Sequence, residues 1–195
     1  MAYPTVSAPY GLRPLNRVDG ASYAGATRTY QIASTYNTPI FNGDLVILVT
    51  GGTIEKFTGT TAGFPVGVFM GCNFTSSQSQ PLQGQYYPGT SVTNASAMVI
   101  VDGNVLYSVA VTDGSSAMST AALAAIGSNV SVIQGTGNTT TGDSAVSVLA
   151  GSEAATSTFP IRVVDVVNET ATGADAFPEL IVKINVNQFN NAAGV

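Results

Sequence analysis

Residues 64–74, FPVGVFMGCNF, alternate with a period of two. Phe64, Val66, Val68, Met70, Cys72 and Phe74 share one register; Pro65, Gly67, Phe69, Gly71 and Asn73 share the other. Such alternation predicts a β-strand with the first set on a buried face. The other face of a strand normally turns polar side chains to water. Here it offers glycines and Phe69, so a cover is expected there too: a second layer, the N-terminal segment or a neighbouring subunit. Phe69 is expected to contact something other than the main core, and Cys72 to lie in that core.

Runs rich in Val, Ile, Phe, Tyr and Thr recur over 27–33, 44–49, 53–57, 64–71, 97–101, 105–111, 129–134, 145–150, 160–167 and 179–186. Asn42-Gly43, Gly51-Gly52, Asp102-Gly103 and Asp113-Gly114 are compact turn pairs. The strongest hairpin signals are Asp102-Gly103, between AMVIV and NVLYSVAV, and Gly51-Gly52, between DLVILV and TIEKF. A helix is expected over 115–127, with Ser115 or Ser116 as its N-cap, an alanine-rich body and Gly127 as its stop. Residues 73–96 and 135–144 are rich in Ser, Thr, Gln, Asn and Gly and predict loops. The fold class is mostly β: a sandwich or barrel-like domain with an extended N-terminal arm and one short helix. Residues 1–20 form the arm and 21–195 the β-rich domain.

Pro4, Pro9 and Pro14 block helix in that arm and keep it extended. Two placements are open: wrapped on its own domain, or reaching a neighbouring subunit. For the second, Tyr3, Tyr10 and Leu12 would fill pockets on a partner, and Arg13 and Arg17 would pair with its acids. With Phe69, these are the candidate partner-binding residues.

Charged residues are only 9% of the chain and hydrophobic residues 45%. Soluble domains average about 25% charged. A surface made mainly of Ser, Thr, Asn, Gln and Gly is suited to lie against other protein. The net charge of −5 argues against nucleic acid as a partner. The charge is uneven: residues 1–28 hold Arg13, Arg17 and Arg28 against Asp19, and the rest is acidic. A single cysteine excludes an internal disulfide framework. No signal peptide is visible and no apolar run approaches bilayer length, so a protein made in a cytoplasm, away from membranes, is expected.

The chain has no histidine, which removes the commonest general base and metal ligand. Histidine-dependent nucleophile triads are excluded within it. Gly137–Ser144, GNTTTGDS, has phosphate-loop spacing, but Asp143 stands where the phosphate-binding lysine belongs, and a carboxylate repels phosphate. No calcium-loop spacing occurs. Neither catalytic residues nor a cofactor are assigned. A hydrolase with a distant carboxylate pair is the weakest alternative.

The stretch NGDLVILVTGGTIEKFTGTTAGFPVGVFMGCNFT resembles the core of head decoration, or cement, proteins of tailed phages. Those often carry a GD-[LV]-V strand, a variable hairpin and a P-x-GV-x-x-G strand. The matching residues here are Gly43-Asp44-Leu45-Val46 and Pro65-Val66-Gly67-Val68-Phe69-Met70-Gly71. APYGLRPLNRVDG, YAGATRTYQIAS and FPIRVVDVV are similar to segments of small structural proteins of marine and cyanobacterial phages. The resemblance implies a β-rich, non-enzymatic protein on the outer surface of a virion head. It implies binding to the major capsid protein and a homo-oligomer, a trimer ahead of a dimer, and, because the chain is longer than the smallest of those proteins, 73–144 as an elaboration of the domain. The alternative function is a virion surface adhesin or carbohydrate-binding β module.

Overall fold

A computed structural model describes residues 7–59, 63–113, 125–170 and 177–190. Its strands are β1 (Arg13–Arg17), β2 (Arg28–Gln31), β3 (Leu45–Leu48), β4 (Ile54–Lys56), β5 (Gly67–Ser76), β6 (Pro81–Gly84) and β7 (Val92–Ile100). They continue with β8 (Val105–Thr112), β9 (Asn129–Val130), β10 (Val132–Ile133), β11 (Ser147–Leu149), β12 (Ile161–Val166) and β13 (Glu179–Ile184). The fold is nearly all β, as the alternating runs predict.

The strands form two sheets. The first runs β10-β11-β8-β13-β12-β9, with β1 also paired to β8. Only Ser131 separates β9 from β10, so one segment pairs with β12 at one end and with β11 at the other. The sheet therefore returns on itself as a nearly closed barrel. The second runs β2-β7-β5-β3-β4, with β6 beside β5. Its edges meet at a bridge between Gln31 and Thr53.

The connectivity is nested. The chain enters the barrel as β1, leaves to build the whole second sheet, and returns as β8. At the crossing Val18 N–H donates to Asn104 C=O at 2.9 Å, and Arg17 Nε lies 3.7 Å from Asp102.

Two cores result. The first fills the barrel with Val105, Tyr107, Val109, Val163, Val182 and similar residues, and extends to Leu12, Leu45, Val68 and Ile100. The second gathers Ile32, Ile40, Val46, Ile54, Val66, Phe69, Cys72, Tyr87 and Val99. β5 lies between them: Val68 faces the first core and Phe69 the second. Its glycines follow from this crowding. A Cβ on Gly67 would lie 2.1 Å from the Ile100 carbonyl oxygen. Gly71 takes a φ of +142° at a bulge, where Phe69 pairs with Val99 and Gly71 with Met98, leaving Met70 extra. One extra residue reverses the alternation beyond it. Cys72 is buried, as expected, but on the side of Phe69 rather than of Val68.

Several expectations are corrected. Gly51-Gly52 does close a hairpin, β3–β4, but Asp102-Gly103 does not: β7 and β8 belong to different sheets, and the turn carries the chain between them. Residues 73–96 are not a loop, because β5 continues through Ser76 and β6 and β7 follow. Residues 73–144 are integral to this fold, since β7 is a partner of β5 and β8 is central to the barrel. β1 and β6 had no clear sequence signal. Most of the expected helix at 115–127 lies outside the described residues.

Candidate functional site

Two of the segments that carry the resemblance, Gly43–Val46 and Pro65–Gly71, meet at one junction with Leu12. β3 and β5 are neighbours, with Leu45 opposite Val68 and Val46 opposite Gly67. Gly43 N–H donates to the Phe69 carbonyl at 2.8 Å, and Leu12 N–H donates to the Gly43 carbonyl at 3.0 Å. Asn42 adds a bond from Nδ2 to the Met70 carbonyl at 3.1 Å.

Asp44 is fully buried beneath this junction. Its Oδ2 accepts from Phe41 N–H at 2.8 Å and lies 3.0 Å from Lys56 Nζ; its Oδ1 accepts from the Ser144 hydroxyl at 2.6 Å. Ser144 Oγ in turn accepts from Val146 N–H at 3.0 Å. One carboxylate thus ties together the turn before β3, strand β4 and the segment before β11. A buried charge is tolerated only with such partners. The aliphatic run of β3 is legible in sequence; the role of the aspartate before it was missed, because its partners Lys56 and Ser144 are remote in sequence.

The candidate partner-binding residues do not form one surface. Tyr3 lies outside the described residues. Tyr10 and Leu12 are buried in the chain's own fold, and Leu12 belongs to the first core. The Tyr10 hydroxyl reaches Glu179 and Ser108 on the neighbouring strands. Burial first, then the bond to the Glu179 carboxylate, holds its pKa far above the usual phenol range. Arg13 is exposed and stacks 4.3 Å from the Tyr10 ring centroid. Arg17 lies 3.8 Å from Asp19 as well as near Asp102, bracing the inter-sheet turn. Phe69 is fully buried in the second core. Of the covers expected for its face the second layer is the one present, and it belongs to the same chain, so the assignment of Phe69 as a partner-binding residue is corrected.

The arm is corrected likewise. From Tyr10 onward it is a structural part of the barrel, with Arg13 opposite Ser108 and Pro14 opposite Tyr107. Of the described residues before Tyr10, Ser7 and Ala8 are exposed and Pro9 is half-buried.

A cleft of about 500 Å³ separates Ser7–Tyr10 and Arg13 from Asn138, Thr141 and Asp143. A second, of about 320 Å³, lies beside the inter-sheet turn among Asp102, Asn104, Lys183, Asn185, Phe189 and Asn190. Burial pushes the Cys72 thiol up to about 12, so it is a core group rather than a nucleophile. Among the described residues no group of three or more metal-binding side chains occurs, and no helix is long and apolar enough to cross a membrane. No family model, curated protein or solved structure matches the chain.

Proposed function

We propose that this chain is a structural decoration protein of a tailed-phage head, bound to the outer surface of the major capsid protein as a homo-oligomer. One observation carries the proposal: the two segments of resemblance, Gly43–Val46 and Pro65–Gly71, pair as neighbouring strands and share the junction with Leu12. The two segments form one structural unit of the fold, which supports the reading. That unit anchors the base of the segment before Tyr10, which holds Tyr3 and two prolines ahead of the exposed Arg13.

The mechanism is added interface. Copies bridge neighbouring capsomers, so pressure within the head must break extra contacts before the shell opens. About 800 Å² per partner suffices for specific attachment, and a repeating lattice multiplies weak contacts. The test uses preformed heads lacking the protein. The full chain should bind at saturating, fixed stoichiometry, and removal of residues 2–9 should lower occupancy and salt tolerance. The deletion stops at Pro9 because Leu12 and β1 belong to the fold. Failure of the full chain to bind heads overturns the proposal.

A glycan-binding module on a virion is the second reading. Phe189 favours it, being 53% exposed beside the polar cleft that holds Asp102 and Asn104. Sugar binding that Phe189→Ala abolishes would select this reading.

A further inference from the structure

Between Lys56 and Asp102 the sequence contains no charged residue. That stretch builds β5, β6 and β7, so the whole net charge of −5 lies elsewhere. The outer half of β5, β6 and the first half of β7 form a three-stranded lobe, with Phe74 opposite Leu82 and Thr75 opposite Thr93. On it a shallow groove of about 390 Å³ is lined by Phe74, Pro81 and Leu82, with Asn73, Gln83 and Asn94 beside them. Leu82 is 46% exposed. An apolar centre with an uncharged amide and hydroxyl rim has the composition of a protein interface, from whose core charged residues are depleted.

Backbone geometry singles out the same lobe. Among the described residues, the non-glycine residues with positive φ are Ser79 at 60°, Ser91 at 61° and Asn94 at 52°. Ser79 lies in the turn between β5 and β6, Ser91 immediately before β7 and Asn94 within β7. L-residues avoid this conformation, and where it persists it clusters at binding and functional sites.

We infer that this lobe is the surface through which two copies of the chain associate. Charge selects the occupant. Two copies of an acidic protein repel, and the repulsion is least where both faces carry no charge. A charged partner would find no counter-charge here. The same patch on both chains is self-complementary about a twofold axis. The inference rests on the homo-oligomer reading above, names its surface and puts the dimer ahead of the trimer.

Sedimentation of the purified full chain tests it. Wild type should run at twice the 19.8 kDa chain mass. Leu82→Lys should weaken self-association by at least about tenfold, while melting temperature stays unchanged. Gln83→Lys, at an exposed neighbour, should act in the same direction if Leu82→Lys fails to fold. Leu15→Lys is the control, because Leu15 is 47% exposed on β1 in the other sheet. Added salt should strengthen association by screening the acidic remainder. A monomeric wild type, or lysine variants that associate as wild type does, overturns the inference. Wild type that associates through this lobe but ignores heads defeats the decoration reading alone.

Discussion

The two cores that share β5 are closed in different ways. The first is surrounded by strands, because its sheet returns on itself through the segment from β9 to β10. The second has a sheet on one side and loop residues such as Ile40 and Tyr87 on the other. Ile40 and Tyr87 exchange backbone bonds of 3.0 and 2.7 Å, Phe41 stacks on Tyr86, and the Asp44–Lys56 pair fixes the turn behind them. A barrel core depends on many interchangeable aliphatic side chains. A loop-closed core depends on a few specific ones.

The sharpest way to break this contrast is to remove the buried carboxylate. Asp44→Ala leaves Lys56 without its partner and should cost about 3–5 kcal/mol. Hydrogen exchange should show β2–β4 losing protection before β12 and β13. Uniform loss across both sheets would mean that the cores act as one unit.

Phe69→Ala should cost about 3–5 kcal/mol in chemical denaturation, because it empties the centre of the second core. A loss under about 1 kcal/mol, within the range of surface substitutions, would return Phe69 to the surface role its sequence register suggested.

Alkaline pH probes the burial of both cores. The Cys72 thiol is raised from 9.0 to about 12 by burial. Burial also raises Tyr36 and Tyr87 in the second core and Tyr107 in the first. Each group ionises more readily when unfolded. Its stabilising contribution is therefore complete below the unfolded pKa and declines as pH rises toward the folded one. Urea midpoints should be level to about pH 9 and then fall, with a shallower fall in Cys72→Ala.

The smallest effect concerns the first core. The buried Tyr107 hydroxyl has no hydrogen-bond partner among the described residues. Tyr107→Phe should change stability by less than about 1 kcal/mol or raise it slightly, since it removes an unsatisfied polar group. A large loss in thermal melting would mean that this hydroxyl supports the barrel.

Period-two runs made the mostly β class legible, because half-buried and fully buried strands both leave that trace. What misled was context. Phe69 stands among the candidate partner-binding residues because one core is assumed where there are two, and the bulge at Gly71 reverses the register beyond it. Asp102-Gly103 has hairpin chemistry: Asp102 accepts from Asn104 N–H at 2.9 Å. Turn chemistry is local, however, and does not say whether the flanking strands pair with each other or with others. β1, RPLNR, was hidden by its proline and charges, which suit a short edge strand. Of the candidate site, tertiary burial claims Tyr10, Leu12 and Phe69, while Arg13 is exposed and the half-buried Arg17 faces acids of its own chain.

The nesting of one sheet inside the other also sets an order of events during synthesis. β1 leaves the ribosome before its partner β8, which is made only after residues 18–104 have followed. Until then Leu12 and the rest of the first segment have no barrel to join. The second sheet can pair its strands during that wait, bringing Val18 beside Asn104 and so delivering β8 to β1. Assembly of the long-range barrel is then the late and slow event, and its unpaired first strand is the species most open to wrong pairing.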